Sequence, residues 1–139
     1  MTSQELMIGD WIKFSEAADW ANGLNGKPVQ VEGLCDDDGA IKVYDPRPDS
    51  KFRDFWSDDE NDFEPIPLTA EILEKNGFAR FGNSYILKGE NFGLDNPSNQ
   101  NNYLDNYWLR ISIKAVNIVY VHELQHALRL CEIDKEIVL

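Results

Sequence analysis

Apolar residues along this chain occur in short runs separated by turn-forming residues. No apolar run exceeds five residues in the 139-residue sequence, whereas a bilayer-spanning helix needs roughly 20. The runs at residues 11–14, 28–34 and 40–44 have the composition of short strands. Asp38-Gly39 lies between the last two and predicts a hairpin. The first part of the chain is therefore expected to form a small SH3-like or barrel-like antiparallel β lobe.

The second part of the chain adds helices to further strands. Thr69 can cap a helix over residues 70–76, and Gly77 can end it. A second helix, over residues 120–131, is predicted from apolar residues at helical spacing: Val121, Leu124, Leu128 and Cys131. Between the helices, an antiparallel meander is predicted from four strand-like runs: residues 78–82, 85–88, 107–113 and 115–119. The expected fold class is α+β.

Three segments lack a strong pattern of their own. Residues 15–27 combine one turn of helix with an Asn/Gly-rich loop, and residues 89–102 are rich in Asn, Gly, Ser and Pro. Residues 45–62 contain two prolines, charges of both signs and three aromatic residues, which predicts a long irregular excursion. The sequence leaves open whether the segments 45–62 and 89–102 are ordered.

Negative charge is concentrated in the first half of the chain. Residues 1–64 contain 16 acidic and 6 basic side chains, a net charge of -10, while residues 65–139 contain 9 and 7, a net charge of -2. We therefore divide the chain into an acidic β-rich lobe, 1–64, and an α+β lobe, 65–139, that share one core. The charge opposes binding to a nucleic-acid backbone and favours a basic protein as the partner, with nucleic-acid mimicry as one form of that function.

The acidic residues that follow the irregular segment are the predicted partner-binding residues: Asp58, Asp59, Glu60 and Asp62. Neither this cluster nor residues 36–38 has the ligand spacing of a calcium loop, so both are interpreted as solvated acidic surface. Residues 36–38 are assigned to the hairpin turn.

The two cysteines and the N-terminal residues bear on location. Cys35 and Cys131 are too far apart in sequence to indicate a disulfide framework, so a reducing cytoplasm is expected, with both thiols buried and inert. The first ten residues lack the basic and apolar regions of a secretion signal, and we predict no membrane association. The tryptophans could line a ligand groove, but a chain of this size is expected to need its large aromatic residues for the core: Trp11, Trp20, Trp56 and Trp108.

One motif in the second predicted helix has chemical content. His122-Glu123-Leu124-Gln125-His126 matches H-E-x-x-H, in which two histidines share a zinc ion and the glutamate acts as general base. The spacing of four residues places both imidazoles on one helix face. A zinc-dependent hydrolase using His122, Glu123 and His126 is therefore one functional hypothesis, with zinc as its cofactor.

A catalytic zinc also needs a third protein ligand. Glu132 is at the spacing of one known pattern, but Arg129 occupies the position where that pattern has a helix-breaking glycine. Upstream carboxylates supply further candidates: Glu90, Asp95 and Asp105. The alternative is that His122 and His126 are polar residues on the exposed flank of the helix, and we favour this non-enzymatic interpretation.

Three passages resemble a family of short uncharacterised proteins that is common in Bacteroides-type gut bacteria and their mobile elements or phages. These are residues 5–11 (ELMIGDW), residues 65–69 (PIPLT) running to 75–78 (KNGF), and residues 120–125 (YVHELQ). The resemblance implies no activity. The family's helix often reads V-H-x-L-Q-N, so His126 is a departure, and the resemblance implies that His122 and Gln125 help to dock the helix rather than bind zinc.

Overall fold

The computed structural model describes residues 1–16, 24–35, 37–47, 54–95, 107–111 and 114–139, with the side chains of residues 60, 107–111 and 114–116 outside that description. The chain divides into an N-terminal unit, Met1–Ile66, and a C-terminal unit, Pro67–Leu139. Among these residues, each unit forms one five-stranded antiparallel sheet, and those of the C-terminal unit also form two α-helices. The α+β fold class is confirmed.

The described part of the N-terminal unit forms five short strands and two 3-10 helices. The 3-10 helices are Ser3–Glu5 and Glu60–Asp62, and the strands are β1 Trp11–Phe14, β2 Pro28–Leu34, β3 Ile41–Tyr44, β4 Asp54–Ser57 and β5 Phe63–Pro65. Their order across the sheet is β4-β3-β2-β1-β5. The predicted hairpin is confirmed, because β2 and β3 pair antiparallel around Asp38-Gly39.

The expected antiparallel β lobe is confirmed, and among the described residues its sheet is open rather than closed into a barrel. β4 pairs with β3 and β5 pairs with β1, so the hydrogen-bonded ladder has two ends. The sheet is nevertheless organised around an apolar core, because alternate side chains of a strand share one face. The buried core residues are Leu6, Ile12, Phe14, Val29, Val31, Ile41, Val43 and Phe63.

The C-terminal unit begins with a capped helix and continues as a meander. Its elements are α1 Ala70–Lys75, β6 Phe78–Phe81, β7 Ser84–Leu87, β8 Gly93–Asp95, β9 Tyr107–Ile111, β10 Lys114–Ile118 and α2 Val121–Leu130, with the strand order β10-β9-β8-β7-β6. Thr69 Oγ1 accepts a hydrogen bond from the Ile72 amide at 3.3 Å, and Gly77 has the positive φ of 87° that ends the helix.

Two segments expected to be irregular contain regular structure. Residues 45–62 include β4 and a 3-10 helix, and residues 89–102 include β8. Both strands are only three or four residues long, and each directs an apolar side chain inward: Phe55 packs against the N-terminal core and Leu94 is fully buried. Residues 17–23, 48–53 and 96–102 lie outside the described residues.

Several side-chain predictions need correction. Cys131 is exposed, because α2 ends at Leu130 and Cys131 caps it instead of continuing the apolar stripe. Cys35 is only half-buried, and both thiols are free. Trp11 is buried as predicted, but Trp56 is 51% exposed, because it alternates with the buried Ser57 on β4. Trp20 and the side chain of Trp108 lie outside the description.

The largest fully buried side chains of the C-terminal unit are leucines and one isoleucine: Leu68, Leu73, Leu94, Leu124, Leu128 and Ile137. No helix among the described residues combines the length and the apolar character needed to cross a membrane.

Asn76 joins the end of α1 to the far end of its unit. Its side-chain amide donates to the carbonyl oxygens of Ile72 at 2.7 Å and Val138 at 2.8 Å, and its Oδ1 accepts from the Val138 amide at 2.8 Å. Only 1% of Asn76 is exposed. One amide therefore satisfies the helix end and a backbone segment 62 residues away.

We predict that Asn76→Ala destabilises the protein by about 1–3 kcal/mol, because it leaves part-buried backbone groups of Val138 without this partner. Urea unfolding followed by circular dichroism measures the change. Asn91→Ala, at an exposed position in the same unit, is the matched control and should change stability by less than about 0.5 kcal/mol. Equal stability of the two variants would contradict the assigned role.

Candidate functional site

A cleft of about 510 Å³ lies in the N-terminal unit. Residues 1–4, the hairpin tip at Asp38-Gly39, Ile41 and residues 57–59 line it. Three of the lining side chains are carboxylates, those of Asp38, Asp58 and Asp59, and all three residues are exposed. We call this feature the acidic cleft.

Hydrogen bonds fix the strand side of the acidic cleft. The Ser57 hydroxyl donates to Asp62 Oδ2, and the Asp59 amide donates to Ser57 Oγ at 3.1 Å. Asp59 Oδ1 in turn accepts from the Asn61 amide at 2.9 Å, which caps the 3-10 helix. The segment that carries Asp58 is therefore held in place by its neighbours.

The hairpin side of the cleft is also held locally. The Ala40 amide donates to Asp38 Oδ1 at 2.9 Å, and Gly39 adopts the positive φ of 71° that this turn needs. The hydrogen bond from Ala40, followed by that from the Cys35 thiol, lowers the pKa of Asp38 below its usual 3.8. Asp38 was missed as a site residue because its sequence context is that of an ordinary turn, and only the fold brings it beside Asp58.

The four predicted partner-binding residues occupy different environments. Asp58 and Asp59 line the acidic cleft. Asp62 is half-buried and accepts from Ser57, so it serves the local structure. The side chain of Glu60 lies outside the description, as does Asp36, one of the hairpin aspartates.

The H-E-x-x-H motif lies in the first turns of α2. The imidazoles of His122 and His126 are on one helix face, with ring centroids 5.7 Å apart. His122 is 7% exposed, and its ring stacks on that of Tyr120 at 5.9 Å. The expectation that both histidines lie on an exposed flank is wrong for His122, because its position shares the buried side of the helix with Gln125, also 7% exposed.

Glu123, the residue expected to act as general base, caps the helix. Its Oε2 accepts hydrogen bonds from the amides of Val119 at 2.7 Å and Tyr120 at 3.0 Å. These amides belong to the N-terminal end of α2, where backbone N–H groups lack intrahelical partners and a negative charge is stabilised by the helix dipole. The carboxylate is thus directed at the backbone.

The candidate third ligands are dispersed. Glu132 follows the end of α2 with a positive φ of 57°, and Glu90 is exposed. Asp95 accepts from the Ser84 hydroxyl at 2.7 Å, and Asp105 lies outside the described residues. Within the described part of the chain, no three His, Cys, Asp or Glu side chains form a group that could hold a metal ion.

Comparison of the chain with models of known protein families, with curated proteins and with solved structures finds no match. The two candidate sites differ in what their geometry offers. The acidic cleft presents carboxylates to solvent, whereas in the H-E-x-x-H motif Glu123 is bonded to the backbone and His122 is buried.

We predict that Glu123→Ala lowers the free energy of unfolding by about 1 kcal/mol, because two amides at the start of α2 lose their acceptor. Glu123→Gln keeps a side-chain oxygen and should retain most of that stability. Thermal and urea unfolding provide the measurement, with Glu136→Ala at an exposed position of the same unit as the control. A Glu123→Ala variant as stable as the wild type would show that the cap is unimportant.

Proposed function

We propose that this protein is a non-enzymatic binding module whose N-terminal unit recognises a basic protein. The observation that carries the proposal is the acidic cleft, where Asp38, Asp58 and Asp59 come together from the hairpin tip and the end of β4. A cleft of about 510 Å³ has room for one or two long side chains, and lysine and arginine complement its charge.

The charge of the whole unit supports the same partner class. Residues 1–66 contain 16 acidic and 6 basic side chains, a net charge of -10. Such a surface repels phosphate groups and accelerates association with cationic ones. Asp38 contributes one of these charges at the acidic cleft. Imitation of a nucleic-acid surface toward a DNA-binding protein is one form that this function would take.

We propose an SH3-like N-terminal unit, which the strand order β4-β3-β2-β1-β5 and the 3-10 helix between β4 and β5 support. We also propose a cytoplasmic location, which the two free thiols support. The resemblance to the Bacteroides-type family adds no activity to this proposal.

The acidic cleft is tested by removing two of its charges. We predict that Asp38→Asn combined with Asp58→Asn weakens binding of a fluorescein-labelled hexalysine peptide by about threefold to tenfold, since exposed ion pairs contribute about 0.2–1 kcal/mol each. Fluorescence anisotropy at low salt measures the affinity. Asparagine keeps the oxygen that accepts from the Ala40 amide, so the hairpin is retained.

The matched control removes two exposed carboxylates of α1, through Glu71→Gln combined with Glu74→Gln. It removes the same number of negative charges and should change the affinity by less than twofold if recognition is local to the cleft. An equal loss of affinity in both double variants would show that binding depends on the overall negative charge and not on the cleft. Absence of peptide binding by the wild type would contradict the proposed function.

A zinc-dependent hydrolase is the second candidate function. It is favoured by one observation, the placement of the His122 and His126 rings on one helix face with centroids 5.7 Å apart. The contacts of Glu123 oppose it, because a general base that accepts from two backbone amides must leave the helix end before it can reach a metal-bound water. The donor set therefore fits a helix start better than a catalytic zinc centre.

Metal analysis separates the two candidates. We predict that protein purified without chelator contains substoichiometric zinc, and that His126→Asn leaves the metal content and the melting temperature in added zinc unchanged. Stoichiometric zinc in the wild type that is lost in His126→Asn would favour the hydrolase, since loss of one ligand from a two-histidine site greatly weakens zinc binding.

A further inference from the structure

The outer face of the N-terminal sheet carries a half-exposed tryptophan. Along β4, Phe55 and Ser57 face the core side while Asp54 and Trp56 face solvent. Trp56 is 51% exposed. Burial of an indole is among the largest apolar contributions that a side chain makes, and about half of this residue's surface is still available to a partner.

Neighbouring strands hold the indole in place. Trp56 is directly opposite Lys42 on β3, and Lys42 is opposite Gly33 on β2. A Cβ atom on Gly33 would lie 3.5 Å from Cη2 of Trp56, so the ring extends over β3 as far as β2. Lys42 Nζ is 5.8 Å from the ring centroid and forms salt bridges with Glu32 at 3.1 Å and Asp54 at 3.5 Å. We call Trp56, Glu32 and Asp54 the indole platform.

The strand that carries the platform is at the edge of its sheet. β4 pairs with β3 on one side and has no partner strand on the other among the described residues. An edge strand offers backbone N–H and C=O groups to an extended segment of another protein. The outward-facing side chains of the edge strand then determine which sequences bind.

Charge decides which group suits the platform. An exposed indole stacks with planar groups such as nucleobases and guanidinium ions. Nucleic acid is disfavoured, because the unit has a net charge of -10 and two carboxylates flank the ring. Arginine combines a planar surface, weak hydration and a permanent positive charge, and its fork can bond a carboxylate while it stacks.

We propose that the indole platform binds an arginine side chain of an extended segment that runs along β4. Trp56 supplies the stacking surface. Asp54 and Glu32 keep their salt bridges to Lys42 and offer their second carboxylate oxygens to the guanidinium. The edge of β4 that has no partner strand among the described residues orients the segment. The proposal goes beyond the acidic cleft, and it rests on the proposed function only in that the partner is basic.

The test compares two peptides of equal charge on the full chain. Fluorescein-labelled hexa-arginine and hexalysine peptides are titrated in parallel, with anisotropy as the readout. We expect the arginine peptide to bind about two- to fivefold more tightly, the effect of one exposed cation–π contact. Trp56→Leu should abolish this preference while leaving the hexalysine affinity unchanged, and Trp56→Phe should retain part of it.

Phe81→Leu is the matched control, because Phe81 is an exposed aromatic residue of the C-terminal unit, 62% accessible. It should keep the full preference for arginine. Circular dichroism and melting temperatures establish that each variant is folded. If Trp56→Leu does not fold, the arginine preference of Trp56→Phe is compared with that of the wild type instead.

The outcomes separate this inference from the proposed function. Equal affinity for the two peptides, or an arginine preference that survives in Trp56→Leu, would overturn the platform while leaving a basic partner for the cleft. Failure of both peptides to bind would overturn the proposed function and the platform together. A wild-type dimer that Trp56→Leu converts to a monomer would make a second copy the occupant and would also overturn the platform proposal.

Discussion

Burial of one face of each antiparallel sheet is the constraint on which the remaining structure depends. Because side chains alternate along a strand, placing Val29, Val31, Ile41 and Val43 in the N-terminal core commits their neighbours to the opposite face. Lys42 and Trp56 therefore face away from the core for the same reason that Val43 and Ser57 face toward it. In the C-terminal unit the same alternation buries Tyr85 and Leu87 and exposes Ile86. The surfaces available for binding are thus set by the pairing register of the core strands.

The elements that could be predicted are those whose signals are local. A hairpin turn and alternating composition were sufficient for β2 and β3, and a capping threonine with a following glycine was sufficient for α1. β4 and β8 were missed because each is only three or four residues long and lies in a segment whose turn-forming and charged residues conceal a strand pattern. Each is defined by its pairing with the preceding strand. Strand composition also does not reveal whether a ladder closes, so the absence of β4–β5 pairing among the described residues could not be predicted.

The candidate sites show the same limit. The two histidines of H-E-x-x-H were correctly placed on one helix face, because spacing alone determines that. Spacing does not determine the hydrogen-bond partners of Glu123. At the third position of a helix, the nearest donors to its carboxylate are the backbone amides that precede the helix. Asp38 and Asp58 line one cleft because of the strand order, so the sequence around either residue does not predict that they share a site. The exposure of Trp56 depends on the register of β4 against β3, which the irregular composition around it concealed.

The contact between Asn76 and Val138 also bears on how the C-terminal unit folds. It joins residues 62 positions apart, and closing a loop of that length costs on the order of 4 kcal/mol in chain entropy. The pair is therefore expected to form only after the intervening strands and α2 have shortened the loop. The end of α1, although locally encoded, is completed by hydrogen bonds with Val138, and these bonds couple the helix to the C-terminal segment of its unit.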